Sequence, residues 1–415
     1  MKVSVFTLGC KVNQYESDSI IKLLQEKGHQ VSADLCFADV YIINTCAVTN
    51  EAEKKSRQTI AKCRALNPNA KVLVCGCASE KNAKQFEEIE NVTYITGVNK
   101  KQLLAENLQN NGTNIVPHTL EYDDSYCSIP TKTRAYVKIQ DGCNNFCSYC
   151  IIPYLRGRSR SRDMSSILQE VEMLSTQTKE IILTGIDVSD YKINNVRSLD
   201  ILLDNLAPYK NKVRFRLGSL EQGVISDKFI ESAKNINICP HFHLSLQSGC
   251  DATLKRMNRK YTTSDYIQTI NTLRKHFDNP SITTDVIVGF PEETEQEFEQ
   301  TLEFIKQCKF SNIHIFPYSM RSGTVATRYK QVDGIIKKQR AQKLEQVRKQ
   351  LFEDYMLSNQ NKVLTVLVEE KEGEYYVGHS ENYIKCYIAE SVERNAFVKV
   401  VFVKQYKDGM IVKLV

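Results

Sequence analysis

The 415-residue sequence predicts an α/β protein in three parts. Three apolar runs alternate with helical patterns before residue 100, which predicts a doubly wound parallel sheet. Six further strand–helix units between residues 134 and 318 predict a partial (β/α)6 barrel. Five short strand patterns follow without helices, as in a small antiparallel β-barrel. We therefore expect domains at residues 1–125, 126–359 and 360–415.

The first domain is predicted to gather three cysteines at one edge of its sheet. Its apolar runs cover residues 3–8, 40–46 and 71–77. Cys10, Cys46 and Cys77 thus lie at the carboxyl ends of strands, where open α/β sheets bind ligands. Cysteine is also common in protein cores, so buried structural thiols are the alternative. The other three cysteines of this region are interpreted as structural: Cys36, Cys63 and Cys75.

The central domain should carry its functional residues at the carboxyl ends of the barrel strands. These strands are predicted at residues 134–140, 180–184, 213–218, 241–247, 281–289 and 312–318. The residues at their ends are Gly185, Asp187, Ser219, Glu221, Ser245, Gln247, Val288 and Gly289. A loop or helix cap is the alternative role for any single polar residue of this set. His241 and His243 alternate along one strand, and we interpret them as core histidines rather than metal ligands.

The carboxyl-terminal domain is predicted from strand patterns at residues 363–370, 375–379, 383–388, 396–404 and 410–414. Asp408-Gly409 is a strong hairpin signal between the last two patterns. A charged helix is predicted before them, at residues 335–359. Its charges are interpreted as a solvated surface.

Composition argues against a membrane protein and permits a nucleic-acid partner. Hydrophobic residues make up 42% and charged residues 25% of the chain, as in ordinary globular proteins. No apolar run approaches the length of about 18 residues that a membrane span needs, and the first residues match a strand rather than a signal peptide. We expect a cytoplasmic protein whose 14 cysteines stay reduced and available as metal ligands. The net charge of +6 is mildly basic.

Four arginines alternate with smaller residues at positions 156–162. If this segment is extended, its period of two places all four on one face. Such a face would bind RNA phosphates, and a solvated edge is the alternative. The predicted RNA-binding residues are Arg156, Arg158, Arg160 and Arg162.

A loop rich in Gly, Asn and Ser carries the strongest chemical signal of the chain. Cys143, Cys147 and Cys150 follow the spacing C-x3-C-x2-C. Thiolates bind both zinc and iron–sulfur clusters, but structural zinc needs four ligands and usually two C-x2-C pairs, of which only Cys147 to Cys150 qualifies. An iron–sulfur cubane held by three cysteines keeps one iron open for a substrate. We therefore favour the open cluster over zinc.

This loop resembles the motif of the radical S-adenosylmethionine enzymes, with Tyr149 as the aromatic residue before the last cysteine. The resemblance implies a [4Fe–4S] cluster whose free iron chelates S-adenosylmethionine, and an electron that cleaves the sulfonium to a 5′-deoxyadenosyl radical. It also implies that the strand-end residues of the (β/α)6 barrel hold S-adenosylmethionine. Gly185 would then lie near its amino group, and the others near its ribose, carboxylate or adenine.

The first domain resembles that of the methylthiotransferases in three segments: Thr7-Leu8-Gly9-Cys10-Lys11-Val12-Asn13-Gln14, Asn44-Thr45-Cys46-Ala47-Val48-Thr49 and Gly76-Cys77. The resemblance implies that Cys10, Cys46 and Cys77 hold an auxiliary [4Fe–4S] cluster from which sulfur is delivered. The amino-acid sequence around Cys10 is most similar to the branch of this family that modifies N6-threonylcarbamoyladenosine in tRNA. The last domain is similar in position and size to the TRAM module, which binds RNA.

The expected function is therefore methylthiolation of C2 of N6-threonylcarbamoyladenosine beside the tRNA anticodon. The expected partners are the anticodon stem-loop and a cellular electron donor. Phe316 and Tyr318 would stack the exposed base. Alternatives of the same chemistry are isopentenyladenosine in tRNA and a ribosomal protein. The alternative from another class is a non-catalytic RNA-binding protein that needs metal only to fold.

Overall fold

Six parallel strands form the first sheet of the computed structural model, which describes residues 1–124 and 129–415. In chain order the strands are β1 Lys2–Thr7, β2 Gln30–Ser32, β3 Val40–Thr45, β4 Lys71–Gly76, β5 Val92–Thr96 and β6 Gly112–Asn114. Their order across the sheet is β2-β1-β3-β4-β5-β6, so the chain changes direction between β1 and β3. The helices are α1 Lys11–Glu26, α2 Asn50–Leu66, α3 Cys77–Lys81 and α4 Lys84–Glu87.

Both faces of this sheet are covered, which confirms the doubly wound prediction. Tyr41 and Ile43 pack in the apolar cluster on one face, while Val40 and Ile42 pack in the cluster on the other. A strand buried on both faces reads as a continuous apolar run, because successive side chains point in opposite directions. The run 40–46 was recognised as a strand for this reason.

The central part forms a six-stranded open barrel, as predicted. Its main strands are β7 Arg134–Lys138, β10 Glu180–Thr184, β13 Arg214–Leu217, β14 His241–His243, β15 Ser281–Val288 and β16 Asn312–Pro317. All register pairs among them are parallel, and two isolated parallel bridges, Phe215 to Ile238 and Leu220 to Leu244, join β13 to the β14 side. Two short strands, β8 Gln140–Asp141 and β9 Arg160–Ser161, pair antiparallel and close the base of the cysteine loop. A small hairpin pairs β11 Lys192–Ile193 with β12 Val196–Arg197.

Helices surround this barrel and pack on the outward side chains of its strands. They are α6 Met164–Ser175, α7 Leu199–Asn205, α8 Asp227–Asn235, α9 Asp251–Arg256, α10 Thr263–His276, α11 Glu295–Cys308 and α12 Gly334–Leu357. The short helix α5 Ile152–Arg156 packs instead on the first domain, where Leu155 joins its apolar cluster. Phe215 and Leu217 of β13 belong to the resulting apolar core, together with Ile167 of α6. The alternate residues Arg214 and Arg216 point to the other side, so the barrel lumen is polar.

The last part is a closed five-stranded barrel in the order β17-β18-β19-β21-β20. Its strands are β17 Val363–Glu372, β18 Tyr375–Ser380, β19 Lys385–Ile388, β20 Phe397–Tyr406 and β21 Gly409–Leu414. Four of its pairings are antiparallel, but β19 and β21 are parallel, which corrects the purely antiparallel expectation. Tyr406 pairs with Gly409, so the turn is Lys407-Asp408, one residue before the predicted pair.

This small barrel packs on the amino-terminal end of the central barrel. Arg214, at the start of β13, donates from Nη1 to the Thr365 carbonyl at 3.0 Å and from Nη2 to the His379 carbonyl at 2.9 Å. The Tyr383 ring stacks on His241 at the start of β14, with ring centroids 4.6 Å apart. The base of the lumen is therefore closed by the last domain.

The expected boundary between residues 125 and 126 lies outside the described residues. Among the helices that are described, none combines the length and the apolarity needed to cross a bilayer.

Candidate metal and substrate site

The cysteine loop lies between β8 and α5 and is irregular, as predicted. The Cys143 amide donates to the Gly157 carbonyl at 3.2 Å, and the Cys150 amide donates to the Cys147 carbonyl at 2.9 Å. Ser148 ties the loop to the end of α9, because its hydroxyl donates to the Arg256 carbonyl at 2.8 Å. The loop is thus held from both sides while its three thiols remain half-buried.

Gly142 allows the loop to leave β8. Its φ of +71° is a left-handed conformation, and a Cβ at this position would collide with the Arg158 carbonyl. We expect Gly142→Ala to lower the free energy of unfolding by about 1–3 kcal/mol and to reduce the iron content of the purified protein. Denaturation and iron analysis measure both effects. Gly223→Ala is the matched control, because no atom lies within 4 Å of the added Cβ. Equal stability of the two variants would contradict the argument.

The second set of cysteines lies at the carboxyl edge of the first sheet. Cys10 precedes α1, Cys46 follows β3, and Cys77 begins α3. A Cβ added to Gly9 would lie 2.7 Å from the Cys46 Sγ, so the backbone beside Cys10 lies directly against Cys46. Gly76, with φ of +106°, brings the chain close to Thr45 just before Cys77. The strand-end rule therefore gathered the three residues that the sequence analysis selected.

The three thiols of each set can ionise together only when a cation lies among them. Burial, together with the nearby Cys77 and Cys10 thiols, raises the pKa of Cys46 to about 11. Burial likewise raises the pKa of Cys143 and of Cys150 to about 12. Three neighbouring thiolates repel one another, and a metal centre removes this repulsion. The donor types thus fit a metal at each triad.

The spacing of the thiols does not match a single zinc ion. Within residues 1–124 and 129–415, no three cysteine Sγ atoms lie within 4.8 Å of one another. Tetrahedral zinc with Zn–S bonds of about 2.3 Å would hold its sulfurs roughly 4 Å apart. A cubane of four irons needs a wider set of ligands. As the described residues stand, neither triad has the thiol spacing of a single zinc ion.

Three of the predicted strand-end residues meet beside the cysteine loop. Asn145 donates from Nδ2 to the Asp187 carboxylate at 3.0 Å and to the Glu221 carboxylate at 3.1 Å. Burial, with the neighbouring Glu221 and Asp190 carboxylates, raises the pKa of Asp187 to about 7. The Ser245 carbonyl joins this group because it accepts a hydrogen bond from Arg259. This group is a polar pocket wall next to Cys147.

Arg259 links the group to the loop, and sequence reasoning missed it. Its Nη2 lies 3.1 Å from Glu221 Oε1 and donates to the Ser245 carbonyl at 3.2 Å. Its Nη1 donates to Cys147 Sγ at 3.3 Å. A cation here can stabilise both an anionic cluster and a ligand carboxylate. No local motif marks the residue, because it follows α9 in an ordinary Met-Asn-Arg run.

The remaining predicted residues have different surroundings. Gly185 lies close to Gln140, whose carbonyl oxygen would be 3.0 Å from an added Cβ. Gln247 is left-handed, with φ of +70°, and its amide donates to the Asp285 carbonyl at 2.8 Å. The exposed Ser219 makes no side-chain hydrogen bond to the described residues, and the Val288 side chain lies in the apolar core. Neither side chain joins the polar group.

The arginine run does not form an exposed basic face, so that prediction is wrong for three of its members. Arg156 is helical and fully buried, and it pairs with Glu16 and Asp141. Arg160 is buried and donates to backbone carbonyls, and Arg162 is buried against Glu170. Only Arg158 is exposed, with its guanidinium 4.5 Å from the Phe146 ring centre. Carboxylates hold Arg156 and Arg162 inside the protein, and backbone carbonyls of the same run hold Arg160.

A cavity of about 200 Å³ lies between the cysteine loop and the segment that follows Cys46. Cys150 and Tyr149 line one side, and Val48 and Thr49, which closely follow Cys46, line another. The barrel contributes the residues Gln247, Asp285, Ile287, Phe316, Pro317, Tyr318, Ser319 and Arg321. Both aromatic residues predicted to stack a base therefore line this cavity.

Arg321 joins the two domains at this cavity. Its Nη1 donates to Asn50 Oδ1 at 2.7 Å and to Glu53 Oε1 at 3.0 Å, both on α2. The contact fixes the loop after Cys46 against the barrel. A cavity with one wall from each domain is thus held in a defined shape.

The lumen below the cavity carries histidines in two environments. His241 is buried, as predicted, and lies 3.3 Å from Thr283 Oγ1 through Nε2. His243 lies 2.9 Å from the same hydroxyl through Nδ1 and 3.3 Å from Asp285 Oδ2 through Nε2. The His314 ring centre is 5.7 Å from that of His243. His243 therefore belongs to a polar group rather than to the apolar core.

Comparisons with known proteins match two family models to this chain and find full-length relatives. Residues 137–305 match the radical SAM superfamily, and residues 2–97 match the uncharacterized protein family UPF0004. The threonylcarbamoyladenosine tRNA methylthiotransferase MtaB of Bacillus subtilis is 37% identical over 100% of this chain and 97% of its own length. The tRNA-2-methylthio-N(6)-dimethylallyladenosine synthase of Natranaerobius thermophilus is 34% identical over 89% of this chain and 86% of its own.

A solved structure supports the fold alone. The radical S-adenosylmethionine methyltransferase TsrM from Kitasatospora setae, with cobalamin and a [4Fe–4S] cluster bound, superposes with a TM-score of 0.56 at 13% identity. The match covers 76% of this chain and 74% of that one.

Proposed function

The chain belongs to the radical S-adenosylmethionine methylthiotransferase family, and from that premise we propose that it methylthiolates C2 of N6-threonylcarbamoyladenosine in tRNA. The target is the adenosine on the 3′ side of the anticodon. The observation that carries the proposal is the cavity that Cys150 lines from one side and the loop after Cys46 lines from the other. A base in this cavity would face both cysteine triads.

Each triad has one task in this proposal. Cys143, Cys147 and Cys150 hold the cluster that binds S-adenosylmethionine, and Cys10, Cys46 and Cys77 hold a second cluster. When bound, the cluster on Cys143, Cys147 and Cys150 would supply the electron that cleaves S-adenosylmethionine to a carbon radical. The cluster on Cys10, Cys46 and Cys77 would supply the sulfur.

The residues around the two triads bind and orient S-adenosylmethionine and the RNA. The group of Asn145, Asp187, Glu221 and Arg259 offers donors and acceptors for the amino, carboxylate and ribose groups of S-adenosylmethionine. Phe316 and Tyr318 stack the target base in the cavity. The exposed Arg158 and the carboxyl-terminal barrel bind the RNA backbone. An electron donor of the cytoplasm reduces the first cluster. The three functional units are residues 1–125, 126–359 and 360–415.

The second candidate is the isopentenyladenosine substrate, because a dimethylallyladenosine synthase is also 34% identical. The higher identity and longer coverage of the Bacillus subtilis relative favour the threonylcarbamoyl substrate.

Turnover on defined tRNA tests this proposal. The anaerobically reconstituted protein is incubated with S-adenosylmethionine, a reductant and tRNA that carries either modification. Nucleoside analysis should show the 2-methylthio derivative only of N6-threonylcarbamoyladenosine. Methylthiolation of isopentenyladenosine alone would establish the second candidate. A protein that binds both tRNAs and modifies neither would support a non-catalytic role.

A further inference from the structure

One edge of the Arg321 guanidinium has no partner. Its Nη1 donates to Asn50 and Glu53 of α2, which fixes the first domain against the barrel. Its Nε and Nη2 form a different edge of the planar group, and their N–H bonds point in the same direction. Both of these nitrogens are buried, and within residues 1–124 and 129–415 neither has a hydrogen-bond partner. We call this pair of donors the free fork of Arg321.

The Arg321 side chain is held firmly by its other contacts. Only 2% of it is exposed to solvent. Its carbonyl accepts from the Thr324 hydroxyl at 2.8 Å and from the Thr324 amide at 3.1 Å, which fixes the backbone. Glu53, on the used edge, is held in turn by Lys81 Nζ at 2.8 Å. The free fork is therefore oriented in advance, and a ligand pays little entropy to order it.

The free fork belongs to a wall of the cavity between the cysteine loop and the segment after Cys46. Arg321 lines this cavity together with Phe316 and Tyr318. Buried N–H donors that have lost water and gained no acceptor are costly. A ligand that enters the cavity and supplies two acceptor atoms to the fork removes that cost.

Two parallel N–H donors on one cation match two oxygens of one anion. Carboxylates and phosphates bind such a fork with both oxygens, and these bidentate pairs are among the strong hydrogen bonds of proteins. The target nucleotide of the proposed function carries one group of each kind, because its threonylcarbamoyl substituent ends in a carboxylate and its ribose carries a phosphate. Neutral acceptors on the base gain less from the positive charge.

We propose that the free fork of Arg321 binds an oxyanion of the target nucleotide and thereby anchors the base in the cavity. This inference rests on the proposed function and adds a residue that binds its substrate. The threonylcarbamoyl carboxylate and the phosphate on the 5′ side of the nucleotide share the required chemistry, and the experiment below distinguishes them.

The group held by the second triad is the other anion near Arg321, since Cys46 lies within electrostatic range of the guanidinium. A sulfur atom of that group offers one acceptor, whereas the fork presents two parallel donors. If the fork served that group, loss of the fork would loosen the second cluster. Iron content is therefore measured alongside RNA affinity.

The test compares three anticodon stem-loops. The first carries N6-threonylcarbamoyladenosine, the second its neutral carboxamide analogue, and the third a neutral methylphosphonate in place of the phosphate on the 5′ side of that nucleotide. Their affinities for the full-length, anaerobically reconstituted protein are measured. The wild type should bind at least one of the two neutralised RNAs about 10- to 100-fold more weakly than the first, as expected for a charge-assisted contact.

Arg321→Lys keeps the charge and removes the fork. The RNA whose weakening shrinks to less than about threefold in this variant identifies the oxyanion, because an ammonium does not hold two oxygens in the same geometry. Arg321→Gln, which places no charge beside Lys81, repeats the measurement if the lysine variant does not fold.

Two variants are matched controls. Asn50→Ala removes a partner of the used edge and leaves the fork, so it should keep the wild-type affinity ratios. Arg328→Lys changes an exposed arginine seven residues further along the chain and should keep them as well.

Equal affinity of the wild type for the three RNAs would overturn the inference. Wild-type affinity ratios in iron-replete Arg321→Lys would also overturn it, because binding would then not depend on the fork. Loss of about four irons from Arg321→Lys would assign the fork to the second cluster instead. Failure of the proposed function has a different signature, because the wild type would then leave the threonylcarbamoyl RNA unmodified in the turnover assay whatever the affinity ratios.

Discussion

Cys147→Ala is expected to abolish the cleavage of S-adenosylmethionine. The substitution removes one of three thiols of the first triad and also the sulfur that Arg259 contacts at 3.3 Å. Two thiols and no replacement ligand cannot retain the cluster against loss to solvent. We expect 5′-deoxyadenosine formation to fall at least about a hundredfold and the iron content to fall from about eight to about four per chain. Chromatography of the nucleoside and iron analysis measure the two effects.

Cys46→Ala separates the two triads. It should lower the iron content to about four as well, yet leave 5′-deoxyadenosine formation in place, because the first triad is intact. The methylthio product should be lost. Cys36→Ala is the matched control, since Cys36 is an exposed free thiol outside both triads. About eight irons in Cys147→Ala would contradict the assignment of this triad.

The sequence was sufficient to predict which cysteines lie together, because their signals are local or follow one rule of topology. The loop spacing is contained within eight residues, and the strand-end rule needs only three apolar runs in the right order. The six-stranded barrel followed from the same alternation of strands and helices. Short-range pattern and sheet topology thus predicted the fold and gathered the residues of each triad.

The incorrect or missing predictions concern residues and strands whose surroundings are determined by tertiary contacts. The arginine alternation predicted an extended basic face, but Ile152–Arg156 is helical and the carboxylates of Glu16 and Glu170 draw arginines inward. Arg259 acts through Cys147, Glu221 and Ser245, which no local pattern connects to it. The parallel pairing of β19 and β21 was missed because turn signals report only hairpins between consecutive strands.

The histidine prediction shows the same limit on a smaller scale. Alternation placed His241 and His243 on one face, which is correct, because both contact Thr283. Which environment each meets depends on other strands and on the last domain. Tyr383 covers His241, whereas Asp285 and His314 surround His243. The period of two predicts which face of the strand the two histidines share, and tertiary packing determines which groups surround each of them.

Arg156→Gln is expected to cause the largest loss of stability. The Arg156 Nη1 donates to Glu16 at 3.0 Å and to Asp141 at 3.1 Å, and Nη2 donates to Asn13 at 2.8 Å. Lys138 bridges the same two carboxylates at 2.9 Å each. Removing one member of a buried charge network leaves the others uncompensated, at a cost of about 3–5 kcal/mol. Chemical denaturation at pH 7 measures the change in the free energy of unfolding.

The acid dependence of this loss has a defined sign. Burial opposes ionisation of Glu16, but Arg156, Lys101 and Lys138 outweigh it and hold its pKa well below the ordinary value of 4.5. A carboxylate with a lowered folded pKa stabilises the protein above its unfolded pKa, and this contribution is lost as the pH falls through the folded pKa. Without Arg156 the folded pKa of Glu16 rises toward 4.5, so less stability is left to lose. The difference between wild type and variant should therefore narrow as the pH falls below about 4.5.

Arg158→Gln is the matched control, two residues away in the same run. Its guanidinium is exposed and contacts only the face of Phe146 among the side chains described around it, so the expected cost is below about 1 kcal/mol. The network joins Asn13 and Glu16 of α1 to Asp141 beside the cysteine loop, and it therefore fixes one triad relative to the other. Arg156→Gln should accordingly lower the methylthio product formed per 5′-deoxyadenosine, whereas Arg158→Gln should not. Equal losses of stability in the two variants would contradict the buried network and would favour the exposed basic face that the sequence predicted.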